Sequence, residues 1–150
     1  MRTSGIDHIS VTVSDLDRSL AFYRDLLGIP LLGRGEESGS AVASVTGLTD
    51  ARFYFADLDL GSGQILELLQ YVRPKGIRLK PRVFDSGSGH LALRVDNLDN
   101  TLRRLKREGI LPRAAPVELR GPEWWRGARC VYVSDPDDVT VELVERSSRR

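Results

Sequence analysis

Apolar and polar residues alternate near the N-terminus, and the pattern then changes to a helical period. A strand is predicted over residues 6–13, with the odd-numbered apolar residues on one face and His8 among small polar residues on the other. The apolar residues that follow recur at helical spacing. They predict a helix that Ser14 or Asp15 caps and Gly28 ends.

Three further strands are predicted in the first half of the chain. Residues 33–39 are expected to form a polar turn, and residues 41–45 a short strand. Residues 52–60 and 65–72 alternate as two strands, and a tight hairpin at 61–63 joins them. The predicted order is therefore β-α-β-β-β.

The second half of the chain repeats this order. Proline, glycine and serine without clear periodicity at 73–88 predict a connection between the two halves. After it, the pattern predicts a strand at 90–95, a helix at 97–108 ended by Gly109, and a broken strand within 112–119. A loop at 121–127 follows, and then two strands at 128–133 and 139–144 that a turn at 135–138 joins.

Two segments that open the halves resemble each other, namely Asp7–Asp17 and Gly89–Asp99. His8 aligns with His90, and these are the only two histidines in the chain. An internal repeat with one histidine per copy is therefore indicated. We predict an α+β fold in a single domain over residues 1–150, built from module one (about 5–72), the connection (73–88) and module two (about 89–146).

The last predicted strand of each module carries a carboxylate inside an apolar run, Glu67 in the first and Glu142 in the second. Burying an unpaired carboxylate is costly, so a compensating partner is required. Arg52 and Arg94 are candidate partners, and a single histidine on a strand often has a purely structural role. A histidine and a glutamate that recur together in both modules favour a site for a divalent first-row metal instead.

Composition narrows the range of functions. The 22 Lys and Arg nearly balance the 21 Asp and Glu, a net charge of +1, so no global field favours nucleic acid or a membrane surface. The chain has no apolar run of the ~20 residues that a membrane span needs, and no signal peptide pattern. The single cysteine, Cys130, excludes an internal disulfide. We expect a soluble cytoplasmic protein whose C-terminal residues 146–150 form a solvated tail.

The repeat carries a family resemblance. The segments DHISVTVSDLDRSLAFYRDLLGI and GHLALRVDNLDNTLRRLKREGI, and the DPDD turn before VTVELVE, resemble the vicinal oxygen chelate superfamily. That superfamily includes glyoxalase I, methylmalonyl-CoA epimerase, extradiol dioxygenases, fosfomycin-resistance enzymes and bleomycin-binding proteins. The resemblance covers nearly the whole chain. It implies a homodimer, and sheets that curl into a cup around one divalent transition metal (Zn, Ni, Co, Mn or Fe), with ligands at His8, Glu67, His90 and Glu142.

The resemblance also implies a reaction in which the metal stabilises an enolate. We therefore predict an epimerase or isomerase that acts beside the carbonyl of a small oxygenated metabolite, either a hydroxyketone or an acyl thioester. Glu142 is expected to be the more active base and Glu67 its partner on the opposite face of the substrate. Trp124 and Trp125 are expected to form a lid, or else to cover the core or a dimer surface. The other expected cup-facing residues are Ser10, Thr12, Arg52, Tyr54, Tyr71, Ala92 and Arg94.

Three alternatives stay open: a glyoxalase I-type lyase, a ring-cleaving dioxygenase and a non-catalytic binding or resistance protein. Glyoxalase I holds glutathione with an Arg and an Asn, where this chain has Thr12 and Tyr71. Methylmalonyl-CoA epimerase has a Gln at the position of Glu67, and a catalytic Glu that is not found near 43–45. Extradiol dioxygenases use two His and one Glu, so a fourth ligand would occupy a position that oxygen needs.

Overall fold

Two units, Met1–Arg78 and Leu79–Arg150, make up the chain, and the boundary between them falls inside the predicted connection. The computed structural model describes residues 2–146, so most of the predicted C-terminal tail lies outside the described residues. Within residues 2–146 no helix has the length and apolar character that crossing a membrane requires.

The first unit has a four-stranded mixed sheet in the order β1-β4-β3-β2. β1 pairs with β4 in parallel, and the other pairs are antiparallel. Its elements are β1 (His8–Thr12), α1 (Leu16–Leu20, capped by Asp15) and the π-helical segment Ala21–Leu26 that continues it, then β2 (Leu31–Ser38), α2 (Ser40–Thr46), β3 (Arg52–Gly61) and β4 (Gln64–Arg73).

The second unit has a sheet of the same design, in the order β5-β8-β7-β6, with β5 parallel to β8. The shared order confirms the predicted α+β fold made of two similar modules. Its elements are β5 (His90–Arg94), α3 (Leu98–Arg107, capped by Asn97), β6 (Val117–Glu118), β7 (Arg129–Ser134) and β8 (Thr140–Glu145).

The polar turn predicted at 33–39 is wrong, because most of this segment forms strand β2. A Cβ atom at Gly35 would lie only 2.8 Å from Cε1 of Phe55 on the neighbouring strand. The glycine is therefore needed so that the Phe55 ring can lie over β2, and it does not mark a turn.

The short strand predicted at 41–45 is also wrong, because these residues lie in helix α2. The Ser44 and Thr46 hydroxyls donate to carbonyl oxygens four residues earlier, at 2.9 and 2.8 Å. Gly47 follows the helix with a φ of 72°, the left-handed conformation that commonly ends a helix. Two valines in a short apolar run suggested a strand, but the run is too short for periodicity to distinguish the two structures.

One helix covers one face of each sheet. In the first unit α1 contacts β3 and β4, and Leu58, Leu66 and Leu68 are fully buried on those strands. In the second unit α3 contacts β8, and its Leu98 and Leu105 are fully buried. Each such leucine stabilises the fold by about 1.5–3 kcal/mol. This helix does not cover the opposite face of each sheet, and we call that face the open face.

The start of each helix is bound to the last strand of its unit in the same way. The backbone N–H of Leu16 donates to Oε1 of Gln70 at 2.7 Å, and that of Leu98 donates to Oε2 of Glu145 at 2.9 Å. Gln70 and Glu145 each lie three residues after the glutamate that the sequence singles out. The repeat therefore extends to the hydrogen bonds that set the position of each helix on its sheet.

Candidate metal centre

In the first unit, β1 and β4 bring a histidine and a glutamate to the open face. Side chains alternate along β1, and Ser10 is the register partner of Glu67 in the parallel pair. His8 lies two residues before Ser10, on the same face, and its Nε2 atom is 3.7 Å from Oε2 of Glu67. The His8 side chain is 47% exposed and that of Glu67 is 25% exposed. The pair is therefore adjacent and accessible.

In the second unit, β5 and β8 repeat this arrangement. Ala92 is the register partner of Glu142, and His90 lies two residues before Ala92. The Nε2 atom of His90 is 3.3 Å from Oε2 of Glu142. The Glu142 side chain is only 11% exposed, so this carboxylate is more enclosed than that of Glu67.

The atoms that face each other in both pairs suit a divalent metal. Imidazole nitrogen and carboxylate oxygen are ordinary ligands of first-row metals. Two ligands about 2.1 Å from one ion are roughly 3–3.5 Å apart, close to the separations in these pairs. No group of three or more His, Cys, Asp or Glu arranged to hold an ion occurs in the described part of the chain. Each unit thus supplies two donors that fit a metal.

The alternative of an arginine partner for each glutamate is not supported. Arg52 Nε donates to Oε1 of Glu36 at 2.6 Å, so its charge is already paired elsewhere. Arg94 forms no ion pair with any residue in the range 2–146. Neither guanidinium compensates the two carboxylates, and this leaves the histidines as their close partners.

Two acidic residues surround the first pair. His8 Nδ1 donates to Oδ1 of Asp7 at 2.8 Å, which directs Nε2 toward Glu67. This hydrogen bond is the main cause that raises the pKa of His8; the nearby charges of Glu67 and Asp57 raise it further, while burial opposes them. Asp57 is also the register partner of Glu67 across the β3–β4 hairpin. The first pair therefore lies in a negative environment.

Two uncharged side chains, those of Tyr132 and Cys130, lie beside the second pair. Tyr132 is the register partner of Glu142, and its ring centroid lies 5.4 Å from that of His90 at an interplanar angle of 44°. Burial, together with the Glu142 charge, raises the pKa of Tyr132, and the positive charge of Arg113 opposes this effect. Burial and a hydrogen bond to Glu142 also raise the pKa of the Cys130 thiol to about 11. Both side chains therefore stay protonated beside the carboxylate at neutral pH.

The strand register places five of the expected cup-facing residues on the open faces. Side chains two or four residues apart on a strand share a face. By this alternation, Ser10, Thr12 and Tyr71 share a face with Glu67, and Ala92 and Arg94 share a face with Glu142.

The prediction that Arg52 and Tyr54 face the site is wrong. Tyr54 lies three positions from Asp57 on β3 and therefore points to the face opposite Glu67. Arg52 binds Glu36, which is the register partner of Tyr54 on β2. Strand β3 carries aromatic residues on both faces, so its sequence alone does not show which face the helix covers.

The two loop tryptophans differ from each other. Trp125 packs against the buried cluster of Ala128, Cys130 and Val144, and the Arg146 guanidinium lies 4.9 Å from its ring centroid. Trp124 is 60% exposed. Cys130 and Val144 are register partners two positions from Tyr132 and Glu142, so Trp125 packs on the face of the second sheet that carries Glu142.

Comparison with known proteins identifies the family of the chain. Residues 5–143 match the family described as the Glyoxalase/Bleomycin resistance protein/Dioxygenase superfamily. The chain belongs to this superfamily. Its members include lyases, epimerases and dioxygenases, and superfamily members use divalent metals.

Three similar proteins illustrate the range of the glyoxalase superfamily. A probable lactoylglutathione lyase from Synechocystis is 28% identical over 158 residues, covering 95% of this chain and 96% of the relative. A 2-epi-5-epi-valiolone epimerase from Actinomyces is 30% identical over 146 residues, covering 93% and 78%. The crystal structure of a glyoxalase family protein from Bacillus cereus has a TM-score of 0.84 at 23% identity, covering 97% of this chain and 95% of that one.

Three neighbours of the His–Glu pairs in this glyoxalase superfamily member were not predicted: Asp7, Asp57 and Tyr132. Asp7 simply precedes His8 in the sequence. Asp57 and Tyr132 would be found by counting residues back across the hairpin turns from Glu67 and Glu142. The signal was therefore in the strand register and not in the hydrophobic pattern.

Proposed function

We propose that this glyoxalase superfamily member is a divalent-metal-dependent epimerase or isomerase. It would move a proton on the carbon next to the carbonyl of a small oxygenated metabolite. The observation that carries the proposal is the recurrence of one His–Glu pair, in the same strand register, in both units. The proposed ligands of one ion (Zn, Ni, Co, Mn or Fe) are His8, Glu67, His90 and Glu142.

A bound divalent ion supplies Lewis-acid stabilisation of negative charge on the substrate's oxygens. The proton itself is moved by the chain's own carboxylates. A base on each side of the reacting carbon lets one remove the proton and the other return one on the opposite face, which inverts the centre. General-base assistance of this kind contributes about 10²–10⁴ in rate.

Glu142 is proposed as the more active base and Glu67 as its partner. Glu142 is the more buried of the two, and its register neighbours are Ala92 and Tyr132. Glu67 instead has a second carboxylate, that of Asp57, as its register neighbour on β3. The assignment therefore rests on the burial of Glu142 and on its two register neighbours, neither of which is an acid.

The proposed substrate is a hydroxyketone, including a cyclic polyol ketone. The hydroxyl groups of Ser10, Thr12 and Tyr71 on the first unit's open face suit a ligand rich in hydroxyls. The Actinomyces relative, named as an epimerase of 2-epi-5-epi-valiolone, supports the same reaction class. We further propose that the protein acts as a cytoplasmic homodimer.

A glyoxalase I-type lyase is the second candidate, because the Synechocystis relative is named a probable lactoylglutathione lyase. The open face of the first unit argues against it. Thr12 and Tyr71 occupy the positions where the resemblance to glyoxalase I would require an Arg and an Asn for glutathione.

Solvent deuterium incorporation tests the proposal. The metal-free protein is loaded with each candidate metal in turn and incubated in D₂O with a panel of hydroxyketones. NMR then reports deuterium at the carbon beside the carbonyl. We expect incorporation that depends on the metal and is absent from the metal-free control.

The same preparations are tested with the hemithioacetal of glutathione and methylglyoxal. Formation of the glutathione thioester without deuterium exchange in any hydroxyketone would replace the epimerase by the lyase. A protein that takes up no metal would instead be a non-catalytic binding protein.

A further inference from the structure

We propose that Arg113 binds an anionic group of the substrate, a carboxylate or a phosphate, on the open face of the second unit. The proposal rests on the proposed function and narrows it, because the hydroxyketone then carries a negative group at the end remote from its carbonyl. Arg113 lies between helix α3 and strand β6, in a segment for which the sequence predicted only a broken strand.

Two hydrogen bonds fix Arg113 at the edge of β7. Its backbone N–H donates to the carbonyl oxygen of Tyr132 at 2.9 Å, and its Nη2 atom donates to Oγ of Ser134, also at 2.9 Å. Ser134 lies two residues after Tyr132, so its side chain points to the face that carries Tyr132 and Glu142. The guanidinium of Arg113 is therefore held at the border of the open face.

The distance from Arg113 to the second His–Glu pair suits an elongated small molecule. The register places His90 on β5, Thr140 on β8 and Ser134 on β7 side by side across the sheet. Neighbouring strands lie about 4.8 Å apart, so Ser134 lies about 10 Å from His90. A small metabolite whose carbonyl lies beside the pair can therefore extend its far end to Arg113.

The Arg113 guanidinium has donors left for a ligand. No carboxylate among residues 2–146 forms an ion pair with Arg113, and Ser134 binds only its Nη2 atom. A guanidinium presents its N–H donors in a planar fork that matches a carboxylate or a phosphate. The Ser134 hydroxyl accepts one N–H and keeps its own hydrogen for a further acceptor. An anion at this point can therefore bind both side chains.

The charges on the two open faces differ in a way that supports this assignment. In the second unit Arg94 adds another guanidinium that has no ion pair within residues 2–146, so two guanidiniums share this face with the carboxylate of Glu142. In the first unit Asp57 lies across from Glu67, and the residue paired with Asp57 on β2 is Gly33, so this position carries no positive charge. The arrangement therefore favours an anionic group on the second unit.

Three hydroxyketones of equal chain length test the proposal: neutral fructose, fructose 6-phosphate and 5-ketogluconate. The charged groups of the last two lie at the opposite end of the carbon chain from the ketone. Dissociation constants are measured by NMR titration of the metal-free protein, so that the readout needs neither metal nor turnover. The variants are Arg113→Gln, which removes the charge, and Arg113→Lys, which keeps it. Arg107→Gln is the matched control, because it removes the same charge from an exposed position on helix α3, which covers the other face of the sheet.

We expect the wild type to bind the two charged probes about 10- to 100-fold more tightly than fructose, the effect of a hydrogen bond to a charged group. Arg113→Gln should bind all three probes equally, and Arg113→Lys should retain part of the preference because it keeps the charge but not the fork. Arg107→Gln should match the wild type. An Arg113-dependent preference for only one of the charged probes would support the site and identify which anion it takes.

Equal affinity for the three probes in the wild type would overturn the proposal. A preference that survives in Arg113→Gln, or that disappears in Arg107→Gln, would also overturn it. Deuterium exchange separates this result from the proposed function. If the Arg113-dependent preference is found but no hydroxyketone exchanges deuterium in the metal-loaded wild type, the anion site is supported and the proposed function fails. If exchange occurs but all probes bind equally, the proposed function stands and the anion site fails.

Discussion

The two units carry the same His–Glu pair in different surroundings. In each, the histidine lies two residues before the register partner of the glutamate, and the facing atoms are 3.7 and 3.3 Å apart. Around the first pair lie Asp7 and Asp57, and around the second lie Tyr132 and Cys130. The strand register is thus common to both units, while the neighbouring residues have diverged.

The different surroundings suggest that the two His–Glu pairs have different roles. Carboxylates beside the first pair favour a cation and orient the His8 ring through Nδ1. Neutral donors beside the second pair suit a site where a proton moves and negative charge develops. We therefore expect substitutions of residues beside the first pair to act mainly on metal affinity, and substitutions of Glu142 and of residues beside it to act mainly on turnover.

The largest expected difference between the units is in the loss of kcat caused by Glu142→Gln and by Glu67→Gln. Because glutamine keeps an oxygen donor but cannot take a proton, Glu142→Gln should lower kcat by about 10²–10⁴ and retain metal. Glu67→Gln should lower kcat by less, about 10-fold. Steady-state kinetics with metal content measured on the same samples checks both. Equal losses in the two variants would remove the assignment of Glu142 as the main base.

A smaller difference, in metal affinity, is expected when the residue that precedes each histidine is substituted. Asp7→Asn should weaken metal binding by about 10-fold, because it removes the carboxylate that orients His8. The corresponding residue in the second unit is Gly89, where an added Cβ meets no atom within 4 Å. Gly89→Asp should therefore be accommodated and should strengthen metal binding. Calorimetric titration measures both, and an unchanged affinity in Asp7→Asn would contradict the role of Asp7.

The smallest effect concerns acid stability. Arg129 donates two hydrogen bonds to Asp99, at 2.9 and 3.0 Å, and these chiefly lower the pKa of Asp99. A lowered folded pKa means that the stabilisation is complete above the unfolded value of about 3.9 and is lost as the pH falls through the folded value. The aligned residue in the first unit, Asp17, accepts a single bond from Arg34.

Asp99→Asn should therefore reduce the loss of stability between about pH 5 and pH 3, and Asp17→Asn should change it less. Thermal unfolding at several pH values measures the difference. Amide hydrogen exchange, measured residue by residue, shows in which of the two units the stability changes. The same acid sensitivity in Asp99→Asn as in the wild type would show that this ion pair contributes nothing to it.

Much of the fold could be predicted from the local pattern of turn residues, helix caps and apolar positions. The β3–β4 hairpin, helix α3 and the DPDD turn have strong signals in the sequence: a Gly-Ser-Gly turn, a capped helical period and an Asp whose carboxylate accepts from backbone N–H groups two and four residues later. Strand β2 and helix α2 were not predicted. Gly35 in β2 is explained only by the Phe55 ring on the next strand, a tertiary contact that the pattern does not contain.

The site was predictable as far as the repeat extends. The His–Glu pairs recur at aligned positions, and the structure places each pair within one unit as adjacent side chains. Tyr54 was assigned to the wrong face because both faces of β3 carry aromatic residues. Tyr132 was missed because its position beside Glu142 depends on strand register, which places side chains ten residues apart in the sequence next to each other.

Metal stoichiometry tests the central claim most directly, namely that both units donate a histidine and a glutamate to one ion. The metal-free wild type, His8→Ala and His90→Ala are titrated with Co²⁺ by calorimetry, with Tyr54→Phe as a control. We predict one ion per chain, and a loss of affinity of at least about 100-fold in each histidine variant. Two ions per chain, or a loss in only one histidine variant, would contradict the claim.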